Sequence, residues 1–411
     1  MLKRYPLRLY LAGALAARAG DEMSGPALLL VGFTAAGSPG DASALLAGIT
    51  IAAAVGGPVL GVLLDRAERP GRLLAVALVL YAAGLGAVLV ALGRLPFGVA
   101  VLIAACAGLL GAALSGGWTA QLPRVAAGDR LPRANALDAM TYGAASLVGP
   151  AFAGGAAELV GAPMAVVLAA GLIGAALPAA WLLPAVPAGD DRPRPTARSG
   201  RRLRIRSIGT ETVAGVRAIA GRPQLARATL GSVVCCAAQG MLAVCTAPLG
   251  EQVLGGAGRG ALLLALAAVS GLGANAVLAR FPHRAAPATV LAAGALAQAV
   301  ALALAASLQP ALLIVAALVL GAGEGPQLTA LFAVRHREAP ERLRGQIFTT
   351  GASLKITGFA LGAAAAGPLA HGSLPGTLLL AASASVLGGA LPVVGVPGRP
   401  LSRRARARGR P

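Results

Sequence analysis

Runs of about 20 residues with almost no ionisable side chain recur along the whole length of this chain, and residues 73–92, LLAVALVLYAAGLGAVLVAL, are representative. A hydrocarbon core about 30 Å thick takes about 20 helical residues to cross, and without water there a backbone is satisfied only in helices or closed barrels. Strands of a barrel alternate between apolar and polar residues; these runs are continuous, so they are helices. Twelve can be marked, at 9–34, 42–64, 73–92, 97–119, 136–157, 163–183, 226–248, 260–279, 288–308, 311–334, 346–370 and 377–396. The composition agrees: of 411 residues 57% are hydrophobic and 12% charged, with a mean hydropathy of +0.76, which excludes an ordinary soluble domain. The expected fold is therefore all-α and membrane-embedded. The opening MLKRYPLRLYLAGALAARAG has the basic start and short apolar core of a secretory signal. Because the apolar pattern resumes at SGPALLLVGF, it is expected to be an uncleaved first transmembrane helix.

A net charge of +20 would suit a nucleic-acid partner only if the basic residues shared one folded face. They are distributed differently. Lys3, Arg4 and Arg8 precede the first run, and Arg66, Arg69 and Arg72 follow the second. Arg124, Arg130 and Arg133 follow the fourth, the arginines from Arg192 to Arg227 the sixth, and Arg280 and Arg284 the eighth. Arg335, Arg337, Arg342 and Arg344 follow the tenth, and Arg399 to Arg410 the last. Outside these places there are only Arg18, Arg94, Arg259 and Lys355. Positive charge concentrated in alternate loops and both ends, with only Arg94 and Arg259 in the opposite loops, puts both termini in the cytoplasm, facing anionic lipid, with no nucleic acid needed.

The Pro- and Arg-rich segment PAVPAGDDRPRPTARSGRRLRIRS reads as a linker between two six-helix bundles, followed by a stretch able to form an amphipathic surface helix. The expected division is 1–183, a linker at 184–225, 226–397, and a basic tail at 398–411. The two halves echo each other. TAQLPRVAAGDRLPRANALDAMTYGAASLVGPAFAG after the fourth run compares with TALFAVRHREAPERLRGQIFTTGASLKITGFALGAAAAGP after the tenth, and duplicated halves about a central site recur among secondary transporters.

The loop GVLLDRAERPGRLL resembles the Gly-x-x-x-Asp-Arg-x-Gly-Arg motif of the major facilitator superfamily (MFS), with Gly61, Asp65, Arg66, Gly71 and Arg72 in matching roles. A carboxylate can cap the positive end of a neighbouring helix. The resemblance implies that Asp65 caps the eleventh helix near Gly345 and holds a cytoplasmic gate, with Arg66 and Arg72 tethering the loop. SLVGPAFAGG is similar to the exporter motif of the same family, through Gly149, Pro150, Gly154 and Gly155. Gly57 with Gly61, and Gly358 with Gly362, give small-residue faces on the second and eleventh helices, which the family packs between its halves.

Ionisable groups inside a span cost about 2.5–3.5 kcal/mol each even on the lenient insertion scale, and by default they mark function. Arg18, Asp21 and Glu22 lie mid-run; helical spacing makes both acids neighbours of Arg18, with one negative charge in surplus. Glu324 and Lys355 are similarly deep. All five are candidates for proton coupling and substrate contact, or else for internal ion pairs: Arg18 with Asp21 and Glu22, Glu324 with Lys355. Gln239 and Gln327 are candidate cavity residues, whereas Trp118 and Gln121 are expected in the interfacial belt. The fourth run has no charged residue, so the arginine that proton-using exporters of the family often carry there would be replaced by Arg18 or Lys355.

Cys106, Cys235, Cys236 and Cys245 lack metal-ligand spacing and read as small buried hydrophobes. His283, His336 and His371 are scattered, and no phosphate-binding loop occurs. No enzyme, cofactor or metal site is expected. The resemblance implies instead a monomeric transporter in a bacterial cytoplasmic membrane that exchanges protons for a small amphipathic or hydrophobic compound. A proton-coupled importer of a small metabolite is the alternative.

Overall fold

A computed structural model describes residues 5–36, 39–185, 213–281 and 285–393. Lys3, Arg4, most of the linker, His283, Arg284 and the basic tail lie outside the described residues. Among the described residues every regular element is helical. The long segments are α1 (Leu7–Ala36), α2 (Pro39–Arg66), α3 (Pro70–Ala91), α4 (Phe97–Gly117), α5 (Leu131–Leu159) and α6 (Ala162–Trp181) in the first half. In the second they are α7 (Pro223–Leu254), α8 (Ala257–Arg280), α9 (Pro287–Ala305), α10 (Pro310–Glu338), α11 (Arg344–Gly372) and α12 (Leu374–Ala390). Each coincides with one of the twelve apolar runs. Because successive helices cross in opposite senses, the start of α1 and the end of α12 lie on one face, called the terminal face below.

Eight of these helices are, by length and composition alone, apolar enough to cross a membrane. The shortfall is informative. α12 is only 17 residues long, whereas α1, α5 and α11 span 30, 29 and 29 residues and fail on polarity. They carry Arg18, Asp21 and Glu22, then Asp138, then Lys355, whereas α10 is apolar enough to count among the eight although it carries Glu324.

Local breaks follow the same division. α1, α2, α5, α7, α10 and α11 contain internal prolines, at Pro26, Pro58, Pro150, Pro248, Pro326 and Pro368. α4 instead passes through a π-turn at Ala113–Gly117. Each break frees backbone groups that must find other partners and lets the helix bend. α3, α8, α9 and α12 contain neither.

Each half has its own apolar core. Tyr10, Trp118, Leu74, Leu114, Val166 and Ile173 belong to the first; Met241, Leu249, Leu302, Leu320 and Leu378 to the second. The halves meet where α2 packs on α11, α5 on α8 and on α10, and the π-turn of α4 on α11. A smaller cluster of Ala120, Ala139, Phe332 and Phe348 bridges them near the terminal face. The amphipathic stretch after the linker is helical at 213–220; it buries Ile219 with Leu225, Ala339 and Ile347, against the ends of α10 and α11.

Candidate functional site

Asp21 and Glu22 on α1, Gln239 on α7, Glu324 on α10 and Lys355 on α11 all lie within about three residues of the middles of their helices, hence within about 5 Å of mid-depth at 1.5 Å per residue. Asp21 is half-buried and accepts a hydrogen bond from the Tyr81 phenol at 2.8 Å; Ser24 lies 2.9 Å from the same phenol. Glu22 is exposed and sits against α5, where a Cβ at Gly149 would come within 2.7 Å of the Glu22 Cβ. This close approach is why glycine is needed at 149.

In the second half, Gln239 Nε2 donates to Glu324 Oε1 at 2.9 Å, and the Cys236 thiol donates to Gln239 Oε1 at 3.4 Å. Both Lys355 and Glu324 act electrostatically on Cys236, so the three share one polar locus. Among the described residues Glu324 and Lys355 form no ion pair, and Asp21, Glu22, Glu324 and Lys355 all retain some exposure. Gln327 is buried, with its amide 3.5 Å from Cys235 Sγ, and packs between helices.

Arg18 departs from the expected pairing. Its guanidinium turns away from Asp21 and Glu22 to Asp138 on α5, donating to Oδ1 at 2.9 Å, to Oδ2 at 3.3 Å and to the backbone carbonyl at 3.0 Å. It also donates to the hydroxyls of Thr119, at 2.8 Å, and Thr141, and lies 3.7 Å from the Tyr142 ring centroid. With Arg18 2% and Asp138 0% exposed, this is a sealed ion pair tying α1, α4 and α5 together. The two carboxylates of α1 are left without the cation that helical spacing offered them.

At the terminal face the two halves are in direct contact. Asp65 Oδ1 accepts from the Gly345 N–H at 2.7 Å and Oδ2 from the Gln346 N–H at 2.9 Å, so a carboxylate at the end of α2 caps the first turn of α11. The helix faces permit it: a Cβ at Gly61 would lie 2.5 Å from the Gln346 Cα, and one at Gly57 2.5 Å from the Thr349 carbonyl. Gly116 packs in the same way on the backbone of Phe348, and Ser353 donates to the carbonyl of Ala53 at 3.0 Å. Tyr142, Phe332 and Phe348 form an aromatic layer across the halves, with centroids 5.6 and 6.0 Å apart. Gly71 packs α3 on Ala180 and Leu183, and Arg72 lies over the Trp181 ring at 5.1 Å. Arg66 ends α2 directly beside Asp65.

Other expectations need correction. Gly358 and Gly362 approach the backbone of Val233 and Ala237 on α7, within their own half, instead of facing α2. Of the exporter-like residues, Gly149 meets α1 and Pro150 interrupts α5, but Gly154 and Gly155 are exposed with nothing within 4 Å of a Cβ. Trp118 and Gln121 are buried, 0% and 4% exposed, and Trp118 stacks 5.9 Å from Tyr10 inside the first bundle. They are core residues, not an interfacial belt. Cys106 is exposed, whereas the other three cysteines are buried. Asp138 and Arg335, both buried, were not singled out in the sequence.

Two bundles of helices that meet around mid-depth polar groups, sealed at one face by a helix cap, make up the architecture of a polytopic membrane transporter. A family model described as the Major Facilitator Superfamily matches residues 10–363. The chain belongs to that family: it is a multi-pass transporter of small molecules, not an enzyme. Among solved structures, the human organic anion transporter MFSD10 (TETRAN) is similar, with a TM-score of 0.76, 16% identity and coverage of 95% of this chain and 100% of that one. A bacterial homologue of the iron transporter ferroportin, in an outward-facing state, gives a TM-score of 0.72, 16% identity and coverage of 94% and 98%. The E. coli fucose:proton symporter FucP gives 0.67, 17%, 95% and 99%. At such identities the likeness is one of fold. No curated protein sequence matches the chain.

Proposed function

We propose that the chain exports a small amphipathic or hydrophobic compound in exchange for protons, rocking bundles 1–183 and 226–397 about the mid-depth groups while 184–225 links them on the cytoplasmic side. The observation that carries this reading is that Asp21, Glu22 and Glu324 lie near mid-depth, partly exposed, with no cation paired to any of them among the described residues. A carboxylate held there exchanges a proton at lower cost than one locked in an ion pair. The sealed Arg18–Asp138 pair supports it, because it takes the nearest cation out of competition. The fucose:proton symporter is evidence that the fold accommodates proton coupling.

With the positive-inside distribution of arginine, the terminal face is cytoplasmic and the membrane is the bacterial cytoplasmic membrane. The described conformation is then the one closed to the cytoplasm. The chain works as a monomer, each bundle supplying half of the polar path. Asp65 holds the cytoplasmic gate through α11, and opening must break that cap.

The test is transport in everted vesicles with a panel of dyes and metabolites under an imposed proton gradient. Interior acidification should drive accumulation, and Asp21→Asn, Glu22→Gln or Glu324→Gln should cut the gradient-driven component at least tenfold. Gradient-driven loss of the compound would instead establish the importer. Unaltered rate and pH dependence in all three variants would remove proton coupling at these residues.

A further inference from the structure

Arg335 lies deep in the closed terminal face, 2% exposed, and its Nε and Nη2 atoms have no hydrogen-bond partner. No carboxylate pairs with it among the described residues. Its surroundings come from both halves: its guanidinium lies 5.8 Å from the Phe348 ring and against Gly351 on α11, and it is coupled electrostatically to Tyr142 on α5 and Cys236 on α7. The adjacent His336 is 6% exposed, lies 4.5 Å from the same Phe348 ring, and has both ring nitrogens unpartnered.

Buried charge is retained in proteins when it is paired, and an unpaired guanidinium at a moving contact calls for the partner that satisfies it in another state. A guanidinium offers a planar fork of donors that fits a carboxylate, sulfonate or phosphate two bonds at a time. The Phe332, Phe348 and Tyr142 rings beside it suit an aromatic or otherwise apolar body. Arg335 follows Glu324 by 11 residues on α10, about 16 Å along the axis. A solute entering from the terminal face therefore meets the basic group before the acidic ones.

We propose that Arg335, assisted by His336, is a docking site for the anionic group of a small organic anion, exposed when the terminal face opens and emptied when it closes. This rests on the chain being an alternating transporter, but not on protons or on the direction of transport. An anion bound only in the open form must shift the balance toward it, and anything that weakens the Asp65 cap must strengthen anion binding by the same factor.

The test uses the purified full chain in detergent without any gradient, with naphthalene-1-sulfonate as probe and the neutral 1-naphthalenemethanol as control, read by thermal shift and by calorimetric titration. The wild type should bind the sulfonate and not the alcohol. Arg335→Met, which replaces an unpaired buried cation with an apolar side chain, should keep its melting temperature and bind at least tenfold more weakly. Arg335→Lys, a point charge without the fork, should fall between, and it carries the comparison if the Met variant does not fold. Asp65→Asn should bind the sulfonate more tightly than the wild type. Equal binding by wild type and Arg335→Met would overturn the proposal, and so would absence of binding in both wild type and Asp65→Asn. Both outcomes are independent of vesicle transport, so a failure here is distinguishable from a failure of proton exchange.

Discussion

The Asp65 cap can be given a magnitude. Its two oxygens accept backbone N–H groups at 2.7 and 2.9 Å, each bond assisted by the carboxylate charge. Replacing Asp65 with Asn keeps one acceptor oxygen, turns an N–H₂ toward a backbone donor, and removes the charge. Loss of one charge-assisted bond at a half-buried site costs about 1.5 kcal/mol, and loss of the charge at the helix end about 0.5 kcal/mol more. The closed terminal face should therefore weaken by about 2 kcal/mol, about 30-fold in the closed-to-open ratio. Hydrogen exchange of the purified protein reads this directly, since the amides of Gly345 and Gln346 are the donors. Peptides covering the first turn of α11 should lose protection about 30-fold in Asp65→Asn, while peptides from α9, which lies away from the interface between the halves, stay unchanged. A change below threefold in α11, or an equal loss in α9, would refute the claim that this carboxylate holds the face shut.

A side chain at Gly61 tests the same contact sterically: a Cβ there would lie 2.5 Å from the Gln346 Cα, so Gly61→Ala should deprotect the same α11 amides, whereas Gly86→Ala, whose Cβ meets nothing within 4 Å, should be silent. Breaking the buried Arg18 pair with Asp138→Asn should cost about 3–5 kcal/mol, seen as a lower melting temperature, because it strands a sealed guanidinium. The double replacement Arg18→Met with Asp138→Leu should recover most of that loss, and a double variant as unstable as the single one would show that the charges are not what matters.

How much could be read in advance depended on the range of the interaction concerned. Helix positions were legible because one helix crossing a bilayer must be apolar along its own length, and all twelve runs became helices. The Asp65 contact with α11 joins residues 280 apart and came only through the family resemblance. The partner of Arg18 was misread for a related reason: spacing along α1 offers Asp21 and Glu22, while Asp138 lies 120 residues away. Moreover, α5 begins at Leu131 and not near 136, so Asp138 sits two turns inside a helix where the apolar run placed it at the edge. Trp118 followed the same pattern. An apolar run ending at 119 put it at the interface, but the chain continues into the short helix Leu122–Val125 and folds Trp118 beneath Tyr10. Polar residues next to apolar runs are hard to place from sequence because burial there is decided by neighbouring helices.

The duplication of the halves makes the single cap meaningful. The α2 ending GVLLDR has its counterpart in NAVLAR at the end of α8, which puts Asn275 opposite Gly61, Ala279 opposite Asp65 and Arg280 opposite Arg66. Asn275 is turned to its own half, accepting from Thr329 at 2.9 Å, and Ala279 offers no carboxylate to the first turn of α5. That turn has no side-chain cap of its own and carries a proline among its first positions, which removes one of the donors a cap would satisfy. At the seam between α5 and α8 the contact is apolar where Leu272 packs against Gly143. Apolar contacts weaken gradually as surfaces part, whereas a two-point cap is lost once its oxygens leave hydrogen-bond range. Under the proposed rocking of the bundles, closure of the terminal face is therefore asymmetric: the α2–α11 seam would act as the switch, and the α5–α8 seam as the surface on which the halves slide.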